Sequence, residues 1–118
     1  MKTHRMKLRE QPFEAIRSGR KTFELRLYDE KRRLVAIGDR IVFTCEGESL
    51  TVRVTALHRF ESFAALYAAL SPEACGYTKE TAASADPRDM EQYYSPDEQR
   101  KYGVIGIGIE RIPEGAID

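Results

Sequence analysis

The chain is poor in the residues that build metal centres and disulfide frameworks. Among its 118 residues there are two cysteines, Cys45 and Cys75, and two histidines, His4 and His58. Cysteines thirty positions apart match no zinc spacing, so neither a metal site nor a cofactor is implied. Both thiols are read as small buried hydrophobes in a reducing compartment, with a disulfide or structural metal as lesser alternatives. Long apolar runs are also missing. The longest, Phe63 to Leu70, is eight residues, well short of the roughly 18–20 a transmembrane helix needs. The opening MKTHRMKLRE has no apolar stretch behind its basic residues. No signal peptide or membrane partner is expected, and the expected location is the cytoplasm.

What is present suffices for one domain, taken as residues 1–118. Apolar residues make up 42% and charged residues 32%, enough for a core beneath a soluble surface. The net charge of zero conceals an asymmetry: residues 1–59 hold fourteen Lys/Arg against eight Asp/Glu, and residues 60–118 hold five against eleven. A basic face able to attract phosphate is one reading; mutual attraction of the two halves, or simple solvation, is the other.

Alternation predicts strands at His4–Arg9, Lys21–Leu27, Arg40–Cys45, Leu50–Leu57 and Val104–Ile112. In the second of these, Phe23, Leu25 and Leu27 share one face, and Thr22, Glu24 and Arg26 share a polar outer face. Glu46-Gly47-Glu48 reads as a hairpin loop. Gln11-Pro12-Phe13 opens a two-turn helix that Gly19 ends with positive φ. Ser62 caps a second helix whose Phe63, Leu66, Tyr67 and Leu70 fall on one core-facing stripe. A helical insertion is expected over about 62–102. It carries three further helix starts, at Ser71-Pro72, Asp86-Pro87 and Ser95-Pro96. Gly106 and Gly108 alternate with isoleucines and would let another backbone or helix approach closely. The tail after Pro113 is expected to fray. The order of elements indicates an α+β fold: a small barrel or strongly curved mixed sheet with peripheral short helices.

The chemistry concentrates at Gly19-Arg20-Lys21-Thr22-Phe23-Glu24-Leu25-Arg26. Glu24 and Arg26 project about 7 Å apart from one strand face, with Lys21 at the strand entry. In a cleft this trio would bind a polar planar ligand; in solvent it would be an ion-pair ladder worth about 0–1 kcal/mol per pair. His58 is read as a hydrogen-bonded structural histidine. Lys31-Arg32-Arg33 is read as a solvated loop, with Arg32 a candidate phosphate contact.

Gly19, Lys21, Glu24 and Arg26 match G-x-K-x-x-E-x-R, the signature of ASCH domains, which are PUA-like β-barrels. With Gly38-Asp39-x-Ile41-x-Phe43 and Tyr102-Gly103-Val104-Ile105-Gly106-Ile107, the chain resembles small single-domain bacterial ASCH proteins over about residues 4–112. The resemblance implies a cleft lined by the motif and an RNA or nucleoside partner. Lys21, Glu24 and Arg26 would be the working residues, supported by Gly19, Arg20 and Thr22. Glu24 would accept from an exocyclic amine, Lys21 and Arg26 would contact phosphate or carbonyl oxygen, and one of Tyr28, Phe60, Tyr77, Tyr93 or Tyr94 would stack on the base. One branch of the family removes the acetyl group from N4-acetylcytidine. Its catalytic lysine maps to Lys21, but its catalytic threonine maps to Glu24, a departure. Its further glutamate falls in the helical region, with Glu61, Glu73, Glu80 and Glu91 as candidates. Hydrolysis of an acylated nucleoside, cleavage of RNA, and a protein partner on the acidic helical half are the alternatives.

Overall fold

The computed structural model describes residues 1–113; the tail expected to fray lies outside the described residues. Five strands form one mixed sheet: β1 (Thr3–Lys7), β2 (Phe23–Leu27), β3 (Arg40–Cys45), β4 (Glu48–Phe60) and β5 (Val104–Arg111). Their spatial order is β1-β3-β4-β5-β2, with β1 parallel to β3 and every other pairing antiparallel. β3 and β4 join through Glu46 and Gly47, both at positive φ (48° and 85°), as a tight two-residue hairpin requires. β4 runs to Phe60, three residues beyond the expected end. Its register shifts between Val54 and Ala56, a bulge that bends the sheet. The result is α+β, a curled half-barrel with short helices around it.

One core fills the inside of the curl. Ile41, Phe43, Val52, Val54, Ile105 and Ile107 meet Phe13 and Ile16 of α1 (Glu10–Arg17). The other core lies behind β2 and β5, where Leu25, Leu27 and Val104 meet Phe63 and Leu66 of α2 (Phe63–Ala69), together with Met90. β5 sits between the cores and is buried on both faces from Val104 to Ile109. Its glycine face carries the close approach anticipated from sequence. A Cβ on Gly106 would lie 2.8 Å from Leu70 Cδ1, and one on Gly108 would lie 2.9 Å from the Cβ of Ala56 at the bulge.

Ser62 caps α2 by accepting from the Ala65 N–H, and Ser95 caps α4 (Pro96–Tyr102) in a capping box. Asp86 caps a 3₁₀ segment, Pro87–Gln92. The start expected at Ser71-Pro72 is instead a turn that closes on Gly76 at φ 114°, a conformation no helix continues. The helix in that neighbourhood is α3 (Lys79–Ala82), capped by Thr78. Cys45 and Cys75 are buried free thiols. His58 packs edge-on against Phe23, 5.7 Å between ring centres. Among the described residues no helix is long and apolar enough to cross a membrane, and no group of three His, Cys, Asp or Glu could hold a metal.

Candidate functional site

The polar face of β2 is not an outer face. Glu24 stands opposite Ile107 and Arg26 opposite Ile105. Directly paired residues of neighbouring strands project from the same side of a sheet. Glu24 and Arg26 therefore point into the curl, beside the isoleucines of the first core. The alternation of β2 is as expected; the face assigned to solvent is covered.

Two features place Lys21 beside them. Helix α1 ends at Gly19, φ 84°, whose N–H donates to Ile16 O at 3.0 Å, while the Lys21 N–H donates to Ala15 O at 2.9 Å. The 72–76 turn then docks on the start of β2. Ala74 O accepts the N–H groups of both Thr22 (2.8 Å) and Phe23 (3.0 Å). Gly76 lies against the Lys21 stem: a Cβ there would sit 3.1 Å from Lys21 Cδ. Arg20 fastens the same turn by donating from Nη1 to Gly76 O at 2.7 Å.

The trio forms one bridged ion cluster. Lys21 Nζ is 2.9 Å from Glu24 Oε1, and Arg26 Nε donates to Glu24 Oε2 at 2.7 Å. Arg26 Nη2 also donates to Lys7 O at 2.8 Å, so Arg26 ties edge strand β2 to the end of edge strand β1 where the half-barrel is open. Glu24 is 3% exposed. Its burial opposes ionisation, but the charges of Lys21 and Arg26 outweigh that opposition and hold its pKa below the ordinary carboxylate value. Burial likewise disfavours the Arg26 cation, and Glu24 more than compensates, raising its pKa. Each Glu24 oxygen already accepts from one cation, so a ligand amine there would share the carboxylate with Lys21 and Arg26. Glu24 neutralises one of two positive charges and aims both donors.

The cluster lies in a cleft of about 580 Å³, in the range of small-molecule sites. β2 and the loop before it supply one wall, with Arg20, Lys21, Glu24 and Arg26. The helical segment supplies the other, with Tyr67, Tyr77, Asp89, Tyr93 and Tyr94. The adjacent tyrosines divide as two neighbours on one short element must. Tyr94 is half-buried and stacked on Phe63 at 6.1 Å, whereas Tyr93 is 42% exposed with the Arg9 guanidinium 4.5 Å from its ring centre. Burial raises the pKa of Tyr94 against the opposing influence of Arg26.

Of the other residues singled out in the sequence, Gly19 and Thr22 border a smaller adjoining hollow with Ile109 and Arg111. Tyr28, Arg32 and Phe60 fall outside the cleft lining. Tyr28 is covered by Arg33 and Arg59, Arg32 pairs with Asp29 at 3.1 Å, and Phe60 packs in the second core. None of Glu61, Glu73, Glu80 and Glu91 lines the cleft; the helical-region carboxylate that does is Asp89. Asp89 Oδ2 accepts from the Tyr77 hydroxyl at 2.6 Å, and Tyr77 Oη lies 2.9 Å from Tyr67 Oη. Burial, with Asp89 behind it, raises the Tyr77 pKa strongly, and burial also raises that of Tyr67. Sequence reasoning missed this chain because Tyr67 sits on the apolar stripe of α2 and Asp89 sits at the third position of a capping box, where a local role explains it.

Comparison with known proteins places the fold within one family. The family model described as the ASCH domain matches residues 6–113. The crystal structure of hypothetical protein PH0355 superposes with a TM-score of 0.79 at 36% identity, covering 95% of this chain and 100% of that one. The solution structure of protein PF0455 from Pyrococcus furiosus gives 0.64 at 34% identity, covering 93% and 97%. A mutant ASCH protein from Zymomonas mobilis gives 0.63 at 18% identity, covering 93% of this chain and 70% of that one, a likeness of fold alone. Among curated proteins no match is found.

Proposed function

The chain belongs to the ASCH domain family, and on that premise we propose that its cleft binds a nucleoside of RNA, or a modified nucleoside, between the Lys21–Glu24–Arg26 cluster and the tyrosines of the helical segment. The observation that carries this reading is the burial of one carboxylate between two cations at the base of a cleft of nucleoside size. The cluster keeps a net charge of +1, and Arg9 and Arg20 add cations along the same cleft. Such a site favours an electron-rich ring edge or a phosphate.

Lys21 and Arg26 donate to a carbonyl oxygen or ring nitrogen, and Tyr93 or Tyr94 offers a face on which a base stacks. Arg20 and Arg9 meet the phosphate that leads into and out of the nucleoside. Glu24 acts through its neighbours as a positioning residue. The test is an amide-shift titration of ¹⁵N-labelled protein with a short unstructured RNA. Shifts should concentrate at residues 20–26, 76–78 and 89–94, and shifts confined to other surfaces would refute the reading.

One observation favours hydrolysis as a second reading. The cleft holds a carboxylate, Asp89, 2.6 Å from a tyrosine hydroxyl, in the helical region where the amidohydrolase branch of the family keeps its acid. The departure at Glu24 counts against it: that side chain is an ion-paired carboxylate where the branch has a hydroxyl, and Thr22, the nearby hydroxyl, borders the adjoining hollow. Proton NMR of N4-acetylcytidine with the protein decides between them. A growing acetate signal that Lys21→Ala abolishes would establish hydrolysis. Broadened nucleoside lines without acetate would establish binding alone.

A further inference from the structure

The Tyr67–Tyr77–Asp89 chain has a fixed hydrogen-bond direction. A carboxylate only accepts, so the bond at 2.6 Å spends the single Tyr77 proton on Asp89. In the 2.9 Å contact between the two hydroxyls, Tyr77 can then only accept, and Tyr67 must donate. The Tyr67 hydroxyl keeps its proton but has it directed at Tyr77, so toward the cleft its oxygen offers lone pairs. All three residues line the cleft, and among the described residues no side chain donates to Tyr67. The facing wall is the reverse: Lys21, Arg26 and Arg20 carry only donors. Glu24, the remaining acceptor on that wall, has both oxygens engaged by cations.

We infer that the cleft selects bases bearing an exocyclic amino group over their oxo counterparts, with Tyr67, set as an obligate acceptor by Tyr77 and Asp89, as the specificity-determining residue. This rests on the nucleoside-binding reading above and adds the substrate class. An amino N–H pointed at Tyr67 completes the chain, while an acceptor that both members of a pair carry, O2 of a pyrimidine or N7 of a purine, takes donors from Lys21 and Arg26. A carbonyl in place of the amine sets lone pair against lone pair, and Tyr67 can turn its proton toward that carbonyl only by breaking its bond to Tyr77, which leaves the two hydroxyl oxygens 2.9 Å apart with no proton between them.

The test is calorimetric titration with matched monophosphates: cytidine against uridine, and adenosine against inosine. Wild type should favour the amino member of each pair about tenfold, the worth of about one hydrogen bond. Two variants then move in different ways, with circular dichroism to verify folding. Tyr67→Phe removes the acceptor, so amino ligands should weaken about tenfold to meet the oxo ligands. Tyr77→Phe frees the Tyr67 proton to donate, so oxo ligands should strengthen and the ratio should approach one. Binding that depends on Lys21 but shows equal affinities within each pair overturns this inference and leaves the nucleoside-binding reading standing. Absence of binding by all four monophosphates overturns both.

Discussion

Removing the carboxylate at position 24 should damage the fold more than removing a surface charge, for a reason the geometry makes quantitative. Lys21 and Arg26 side chains are 10% and 12% exposed, and Glu24 lies between them. Glu24→Ala leaves two nearly buried cations facing each other without their counter-ion. Breaking a buried ion pair from one side typically costs about 3–5 kcal/mol, against a total stability of about 5–15 kcal/mol for a domain of this size. With an unfolding entropy near 2.1 cal/mol/K per residue, this chain loses about 4 °C in Tm per kcal/mol, so the fall should be roughly 12–20 °C. Glu24→Gln keeps the shape and loses the charge, and should fall by a smaller but substantial amount. The pH dependence gives an independent readout. Burial opposes the Glu24 charge, yet Lys21 and Arg26 hold its folded-state pKa below its unfolded value. Its contribution is therefore fully present above the unfolded pKa of about 4.3 and is lost as pH falls through the folded value. Urea unfolding from pH 7 down to pH 3 should show that loss in wild type and a flatter profile in Glu24→Gln. Equal stability of wild type and Glu24→Ala at pH 7 would refute the view that the cluster is a buried, mutually dependent unit.

Gly108→Ala should destabilise the protein by about 1–3 kcal/mol, because the new methyl would meet Ala56 Cβ at 2.9 Å and the Ala56 backbone nitrogen at 3.2 Å, neither of which can swing aside; an unchanged urea midpoint would show that the bulge yields without cost. Asp39→Ala should cost about 2–3 kcal/mol in urea unfolding, since it leaves the Lys2 and Ala36 N–H groups and His4 without their acceptor; an unchanged midpoint would contradict it. The His4 hydrogen bond, opposed by burial and helped by those two N–H groups, lowers the Asp39 pKa to about 2. That stabilisation holds above the unfolded value of about 3.9 and disappears as pH drops through about 2, which an acid titration of Asp39→Asn beside wild type would display.

Much of this architecture is legible in the residue pattern. Alternation in Arg40–Cys45 and in Val104–Arg111, the Ser62 cap, the α2 stripe and the glycine face of β5 all follow from local rules that the packing does not override. The four motif positions can be read as well, and so can the fact that three of their side chains could meet. Which way β2 faces cannot. Period-two alternation separates Glu24 from Leu25, but it does not say that helices and the 72–76 turn cover both sides of the strand. That depends on Ala74 O reaching Thr22 and Phe23 from more than fifty positions along the chain. The parallel β1–β3 pairing and the Arg26–Lys7 tie across the open edge are long-range in the same sense. The cleft residues least visible in the sequence, Tyr67 and Asp89, each satisfy a local rule that conceals a second role. Conversely, Tyr28, Arg32 and Phe60 have the right chemistry for a ligand but are occupied by neighbours elsewhere.

Whether Lys21 holds RNA in the cleft is decided by fluorescence anisotropy of a short labelled single-stranded RNA, titrated at several salt concentrations with wild type and Lys21→Ala. Lys21→Ala leaves Glu24 paired with Arg26, so the variant should still fold, at reduced stability, as its unfolding curve will verify. Weaker binding by the variant is predicted at every salt concentration, with the salt slope largely kept because Arg9 and Arg20 hold the phosphate. Identical affinities in the two proteins would contradict it.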